Sequence, residues 1–137
     1  MIYLIGSLRN PNIPVIANRL REEGFEVFDD WYASGPEADK YWREYELGRG
    51  RLLPEALKGH VANHVYGFDI DHLHQADAVV LVMPAGKSAH MELGYARGRG
   101  QAGYVLLEDD PDRYDFMYKM VSGLFFSLDE LIKELKR

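Results

Sequence analysis

Short apolar runs alternate along this chain with stretches whose apolar residues recur at helical spacing, and that alternation predicts a parallel sheet covered on both faces. Ile2 to Ile5 is the first predicted strand, Phe25 to Phe28 the second, Ala78 to Met83 the third, Tyr104 to Leu107 the fourth and Leu124 to Phe126 the fifth. A helix is expected from Pro14 to Glu23, where proline suits the first turn and Gly24 the end. Further helices follow over His60 to Gln75, from Ser88 onward, and, in shorter form, over Arg113 to Met120. Ser127 then caps an amphipathic last helix through Leu128, Leu131, Ile132 and Leu135. The segment from Asp29 to Gly50 is rich in aromatics and turn formers and reads as a loop plus a short helix, a lid or pocket wall over one face. Five strands with intervening helices make a flavodoxin-like α/β sheet of order 2-1-3-4-5, whose topological switch point lies between strands one and three.

Composition narrows the partners. With 137 residues, 47% of them hydrophobic, the chain suits one domain over 1–137. A net charge of -6, with basic residues scattered rather than massed, argues against nucleic acid and for a small-molecule partner. Cysteine is absent, which excludes disulfides and thiolate chemistry. The apolar run Met1 to Gly6 is far shorter than a signal or membrane segment, so a cytoplasmic protein without membrane association is expected.

Chemistry gathers at the predicted switch point. The loops Gly6-Ser7-Leu8-Arg9-Asn10 and Pro84-Ala85-Gly86-Lys87-Ser88 leave strands one and three, and each offers backbone amides, a hydroxyl and a cation to an anionic or polyhydroxylated ligand. Glycine and serine also simply make turns, but two such loops at one crevice favour binding. Glu92 is placed one turn into the Ser88 helix, where the helix dipole favours its ionised form and makes it a candidate nucleophile. Asp69 falls in the middle of an inward stripe of Ala62, Val65, Leu73 and Ala76. A buried carboxylate there is either compensated or held protonated as an acid. Two carboxylates in unlike surroundings suit cleavage of a glycosidic bond. Asp77 reads as a turn or cap residue. His60 and His64 have metal-pair spacing but no third ligand, and they read as surface or packing histidines, so neither metal nor cofactor is expected. Trp31 and Trp42 either stack on a ligand ring or pack against the core.

Three stretches carry a resemblance: Ile2-Tyr3-Leu4-Ile5-Gly6-Ser7, the run from Asp69 to Asp77, and above all Met91-Glu92-Leu93-Gly94-Tyr95-Ala96. From the first strand to about Met120 the chain resembles the nucleoside 2-deoxyribosyltransferase family, which includes the 2'-deoxynucleoside 5'-phosphate N-hydrolases. The resemblance implies Glu92 as the nucleophile that forms a covalent 2-deoxyribosyl intermediate, Asp69 as the acid near the base, and Tyr3 as the orienter of Glu92. It implies substrate contacts from Gly6, Ser7, Leu8, Arg9, Trp31, Gly86 and Ser88, with Arg9 available to a 5'-phosphate. It further implies a homodimer or higher homo-oligomer in which the segment Tyr114 to Tyr118, through Asp115 and Met117, completes a neighbour's site. Departures are visible. Gly86 stands where related transferases carry an aspartate, and Asp115 stands where the hydrolases place a phosphate-contacting serine, a position in which a carboxylate repels phosphate and suits a hydroxyl. The leading expectation is transfer of deoxyribose between nucleobases, with hydrolysis of deoxynucleoside 5'-monophosphates as the alternative. NAD cleavage of the kind seen in TIR-type hydrolases, and nucleotide sensing without turnover, stay open behind them.

Overall fold

All 137 residues are described by the computed structural model. Five parallel strands, β1 (Ile2–Ile5), β2 (Val27–Phe28), β3 (Ala78–Val82), β4 (Ala102–Leu106) and β5 (Gly123–Phe125), form one sheet of order β2-β1-β3-β4-β5. This is the flavodoxin-like order read from the pattern. β1 pairs with β3 from Ile2 opposite Ala78 to Ile5 opposite Leu81, so the two strands end side by side at the switch point. Every residue of both is buried, which explains their unbroken apolar sequences. β2 is shorter than expected because Gly24, at φ 94°, ends the preceding helix and Phe25 N–H turns back to the Leu20 carbonyl at 3.1 Å.

On one face lie α1 (Asn12–Glu22) and α6 (Leu128–Leu135). α1 begins two residues before Pro14, and its Ile13, Ile16, Ala17 and Leu20 pack on Leu4, Val80 and Leu131. Each of the larger side chains so buried contributes roughly 1.5–3 kcal/mol. Ser127 caps α6 by accepting the Glu130 N–H at 3.4 Å. On the opposite face, α4 (His60–Gln75) and α5 (Lys87–Gly98) bring Leu73, Ala89, Leu93 and Ala96 onto Tyr3, Ile5, Val79 and Leu81. The Gln101 side-chain amide donates to the carbonyls of Leu73 at 2.7 Å and Ala76 at 2.9 Å. The Leu73 carbonyl also accepts the Ala76 N–H at 3.1 Å, and together these bonds fasten the end of α4 to the start of β4.

The region from Asp29 to Gly50 holds more helix than its sequence suggested. A 3-10 turn (Asp30–Ser34) leads into the eleven-residue α2 (Ala38–Gly48), and the short α3 (Leu53–Ala56) follows. α2 buries only Glu46 and leaves Tyr41, Tyr45 and Leu47 exposed, so it carries no apolar stripe by which to read it. Near the other end of the chain, the expected helix over Arg113 to Met120 contracts to a 3-10 turn at Phe116–Met120, capped by Asp115. No helix is long and apolar enough to cross a membrane.

Candidate active site

Beyond the ends of β1 and β3 opens a cleft of about 560 Å³. Glu92 of α5 and Asp69 of α4 both line it. The β1 loop contributes Gly6, Ser7, Leu8 and Arg9, and the loop into α5 contributes Gly86 and Ser88. Trp31 closes one side; its indole N–H donates to the Leu4 carbonyl at 2.9 Å, which fixes the ring against the sheet edge.

Glu92 differs from expectation in one respect. α5 starts at Lys87, so Glu92 is the sixth helical residue and lies in the second turn, where the helix-end field has faded. Burial dominates instead and pushes its carboxyl up to about 7; the Tyr3 hydrogen bond opposes that shift and the charge of Asp69 adds to it. At neutral pH the group is therefore divided between its two protonation states rather than firmly ionised. The Tyr3 hydroxyl donates to Glu92 Oε1 at 3.2 Å. Tyr3 is 1% exposed and stacks on Phe28 at 5.1 Å, so the donor is held in place by the core. Burial first, and the negative charge of Glu92 second, push the phenol upward, which keeps its proton on the oxygen.

Asp69 is half-buried, and burial raises its pKa while His72 opposes the rise. The His72 ring stacks on Phe28 at 4.1 Å, and its Nδ1 lies 2.7 Å from the Phe68 carbonyl. Tyr3, Phe28 and His72 thus form one aromatic ladder beneath the two acids. The stripe that predicted an inward Asp69 is only partly a core stripe. Leu73 and Ala76 are buried, but Val65 is 50% exposed and faces the cleft.

Several lining residues escaped the sequence reading. His64, Val65 and Phe68 belong to the cleft, so His64 is not an ordinary surface histidine. For Val65 the signal was available, because it lies four residues before Asp69 on the same helix face; His64, five residues before, carried no such signal. Asp30 and Asp39 also line the cleft, and nothing in their spacing marked them. Trp42 lies elsewhere, in a separate cavity beside α2. His60 is exposed, and no group of three potential ligand side chains is placed to hold a metal ion.

The loops are preformed. Ser7 Oγ accepts the Arg9 backbone N–H at 3.1 Å, leaving the Arg9 guanidinium exposed at the cleft without an ion pair. Ser88 sits in the first turn of α5, whose amides have no side-chain cap. Asp115 and Met117 do not join this cleft. They line a second cavity of about 450 Å³ on the other side of α5, with His90, Arg97 and Tyr118. The Asp115 carboxylate accepts the Met117 N–H at 2.8 Å. His90 links that region to the cleft loop, its Nδ1 lying 2.7 Å from the Gly86 carbonyl and its Nε2 2.8 Å from the Tyr118 hydroxyl.

No family model and no curated protein sequence matches the chain. Among solved structures it is similar to the Clostridium botulinum CMP N-glycosidase BcmB, over 100% of both chains, with a TM-score of 0.57 and 14% identity. The two proteins share a fold.

Proposed function

We propose that this protein cleaves the N-glycosidic bond of a nucleoside, with Glu92 as nucleophile, Asp69 as proton donor and Tyr3 as the group that orients Glu92. One observation carries the reading: two carboxylates far apart in sequence open into one cleft, and one of them accepts a hydrogen bond from a buried tyrosine. In the first step the ionised Glu92 forms a bond to the anomeric carbon as the carbon–nitrogen bond breaks. The electron pair leaves with the base, and Asp69 supplies the proton that the base gains. A second nucleobase, or water, then displaces the sugar from Glu92 while the Asp69 carboxylate takes back a proton. Burial raises both carboxyl pKa values, which makes Asp69 a readier proton carrier and Glu92 a stronger base than ordinary carboxylates.

The favoured substrate is a 2'-deoxynucleoside, with transfer of its sugar to another base. Four carboxylates, Asp30, Asp39, Asp69 and Glu92, face a single arginine in the cleft, and that balance suits an uncharged 5'-hydroxyl. Hydrolysis of a nucleoside 5'-monophosphate is the second reading. It is supported by the unpaired Arg9 guanidinium beside Ser7 and by the nucleotide named for the similar BcmB structure. In either case Asp115 and Met117 serve a second copy of the chain, since both are exposed and neither reaches its own cleft.

Chromatography of deoxynucleosides and their monophosphates, with and without a second base, tests the reading. A new nucleoside means transfer, free base with free sugar means hydrolysis, and mass spectrometry should find the sugar on Glu92. Release of no base from any member of the panel would overturn the catalytic assignment and leave a binding module.

A further inference from the structure

A second cavity, of about 410 Å³, lies between α2 and α3 and shares Asp39 with the catalytic cleft. Its size falls within the range of small-molecule sites, roughly 300–1,000 Å³. Leu47, Leu52, Leu53 and Ala56 make its apolar wall, and Trp42 and Glu46 supply its polar groups. Those two residues are four apart on α2 and therefore neighbours on one helix face.

Neither side chain makes a hydrogen bond. The chain has four buried side-chain polar atoms that make no hydrogen bond, and three of them are Trp42 Nε1, Glu46 Oε1 and Glu46 Oε2. Glu46 is 3% exposed. Arg51 Nη1 stands 3.6 Å from its Oε2, close enough to balance the charge but donating no hydrogen bond. That approach depends on Gly59, because a Cβ there would lie 2.8 Å from Arg51 Nη1. Buried donors and acceptors in folded proteins are satisfied by protein, water or ligand, so three orphans at one cavity call for an occupant.

The chemistry of the occupant follows from what is missing. Glu46 needs N–H or O–H donors, the Trp42 indole needs an acceptor, and the leucines need a flat or apolar body. Asp39 and Glu46 are offset by Arg43 and Arg51 in the lining, so the ligand is neutral. A ring that carries an exocyclic amino group next to a ring nitrogen meets all four requirements. We propose that the cavity between α2 and α3 is a binding site for a free amino-substituted nucleobase, of the adenine or cytosine kind. The site needs no turnover and stands apart from the catalytic assignment. Where that assignment holds, the ligand is of the same class as the base released in the adjoining cleft.

Trp42 reports on the site directly. Trp31→Phe removes the other of the two tryptophans, leaving fluorescence from Trp42 alone. Adenine or cytosine should quench this emission saturably, and 1,3-dimethyluracil, a flat ring with acceptors but no N–H donor for Glu46, should bind about tenfold more weakly. In the same background Glu46→Gln should weaken adenine binding by about tenfold or more, while Glu92→Ala should leave it unchanged. Leu53→Phe, at a rim position that is 62% exposed, crowds the cavity without touching the core and should also weaken binding. Circular dichroism verifies that each variant is folded. The proposal is overturned if no saturable quenching occurs up to about 10 mM base, the signature of a cavity that holds only water. It is equally overturned if 1,3-dimethyluracil binds as well as adenine, or if folded Glu46→Gln and Leu53→Phe proteins bind normally. Failure of the catalytic assignment would show differently, as absence of base release with this binding intact.

Discussion

Helix α1, eleven residues long, buries Ile13, Ile16, Ala17 and Leu20, whereas α4, sixteen residues long, buries Leu73 and leaves Val61, Val65 and Phe68 between 40% and 50% exposed. Both helices pack on the same sheet, from opposite faces. α1 uses its apolar stripe to hold the fold together. α4 does so only at its far end, and Val65 and Phe68 near its middle stand at the wall of the cleft, where a ligand would cover them. The same sequence periodicity thus builds the core in one helix and a cleft wall in the other, and substitutions should separate the two.

The largest effect is expected at Glu92. Glu92→Gln should lower base release about a thousandfold or more, yet make the protein more stable at pH 8. The sign follows from its carboxyl, which rises from an ordinary 4.5 to about 7 in the folded chain. A folded state that holds the proton more tightly loses stability as pH climbs through that window, and glutamine removes the loss, up to about 3 kcal/mol. Urea melts of both proteins at pH 5 and 8 measure this, and a glutamine variant less stable than its parent at pH 8 would contradict the burial account. Next in size, Leu20→Ala on α1 should cost about 2–5 kcal/mol in stability while leaving the turnover of folded protein unchanged. The pH profile should move more modestly. Activity should fall as pH drops below about 7, the point at which Glu92 gains its proton. Tyr3→Phe should carry that limb to higher pH because it removes the bond that favours the carboxylate, and Asp69→Asn should carry it lower. The smallest stability change belongs to Val65→Ala, within about 1 kcal/mol, but it should raise KM. A Val65→Ala protein that unfolds, or one with an unchanged KM, would erase the contrast between the two helices.

Where burial and sequence pattern coincide, the fold was legible. The continuous apolar run at β3 and the Ser127 cap of α6 are found where the pattern placed them, and α4 has the expected bounds. The strand order followed from the alternation of elements. α2 stayed hidden because its apolar residues face outward and its one buried residue is an acid. The cleft was legible at Glu92, Asp69 and the two loops, since chemistry-bearing residues at strand ends stand out in any parallel sheet. A helix-end field is visible in sequence, while the desolvation that raises the Glu92 carboxyl depends on neighbours from other elements. Asp30 and Asp39 were out of reach for the same reason: only the folding of the Asp29 to Gly50 segment over the sheet brings them near.

The two hydrogen bonds from Gln101 make α4 a lever with one fixed end. At 1.5 Å of rise per residue, a tilt of about 10° about Leu73 would displace the helix axis at His64 by roughly 2 Å, but at Asp69 by only about 1 Å. Any such tilt would therefore shift the mouth of the cleft about twice as far as it shifts Asp69, a ratio set by nothing more than position along one rod.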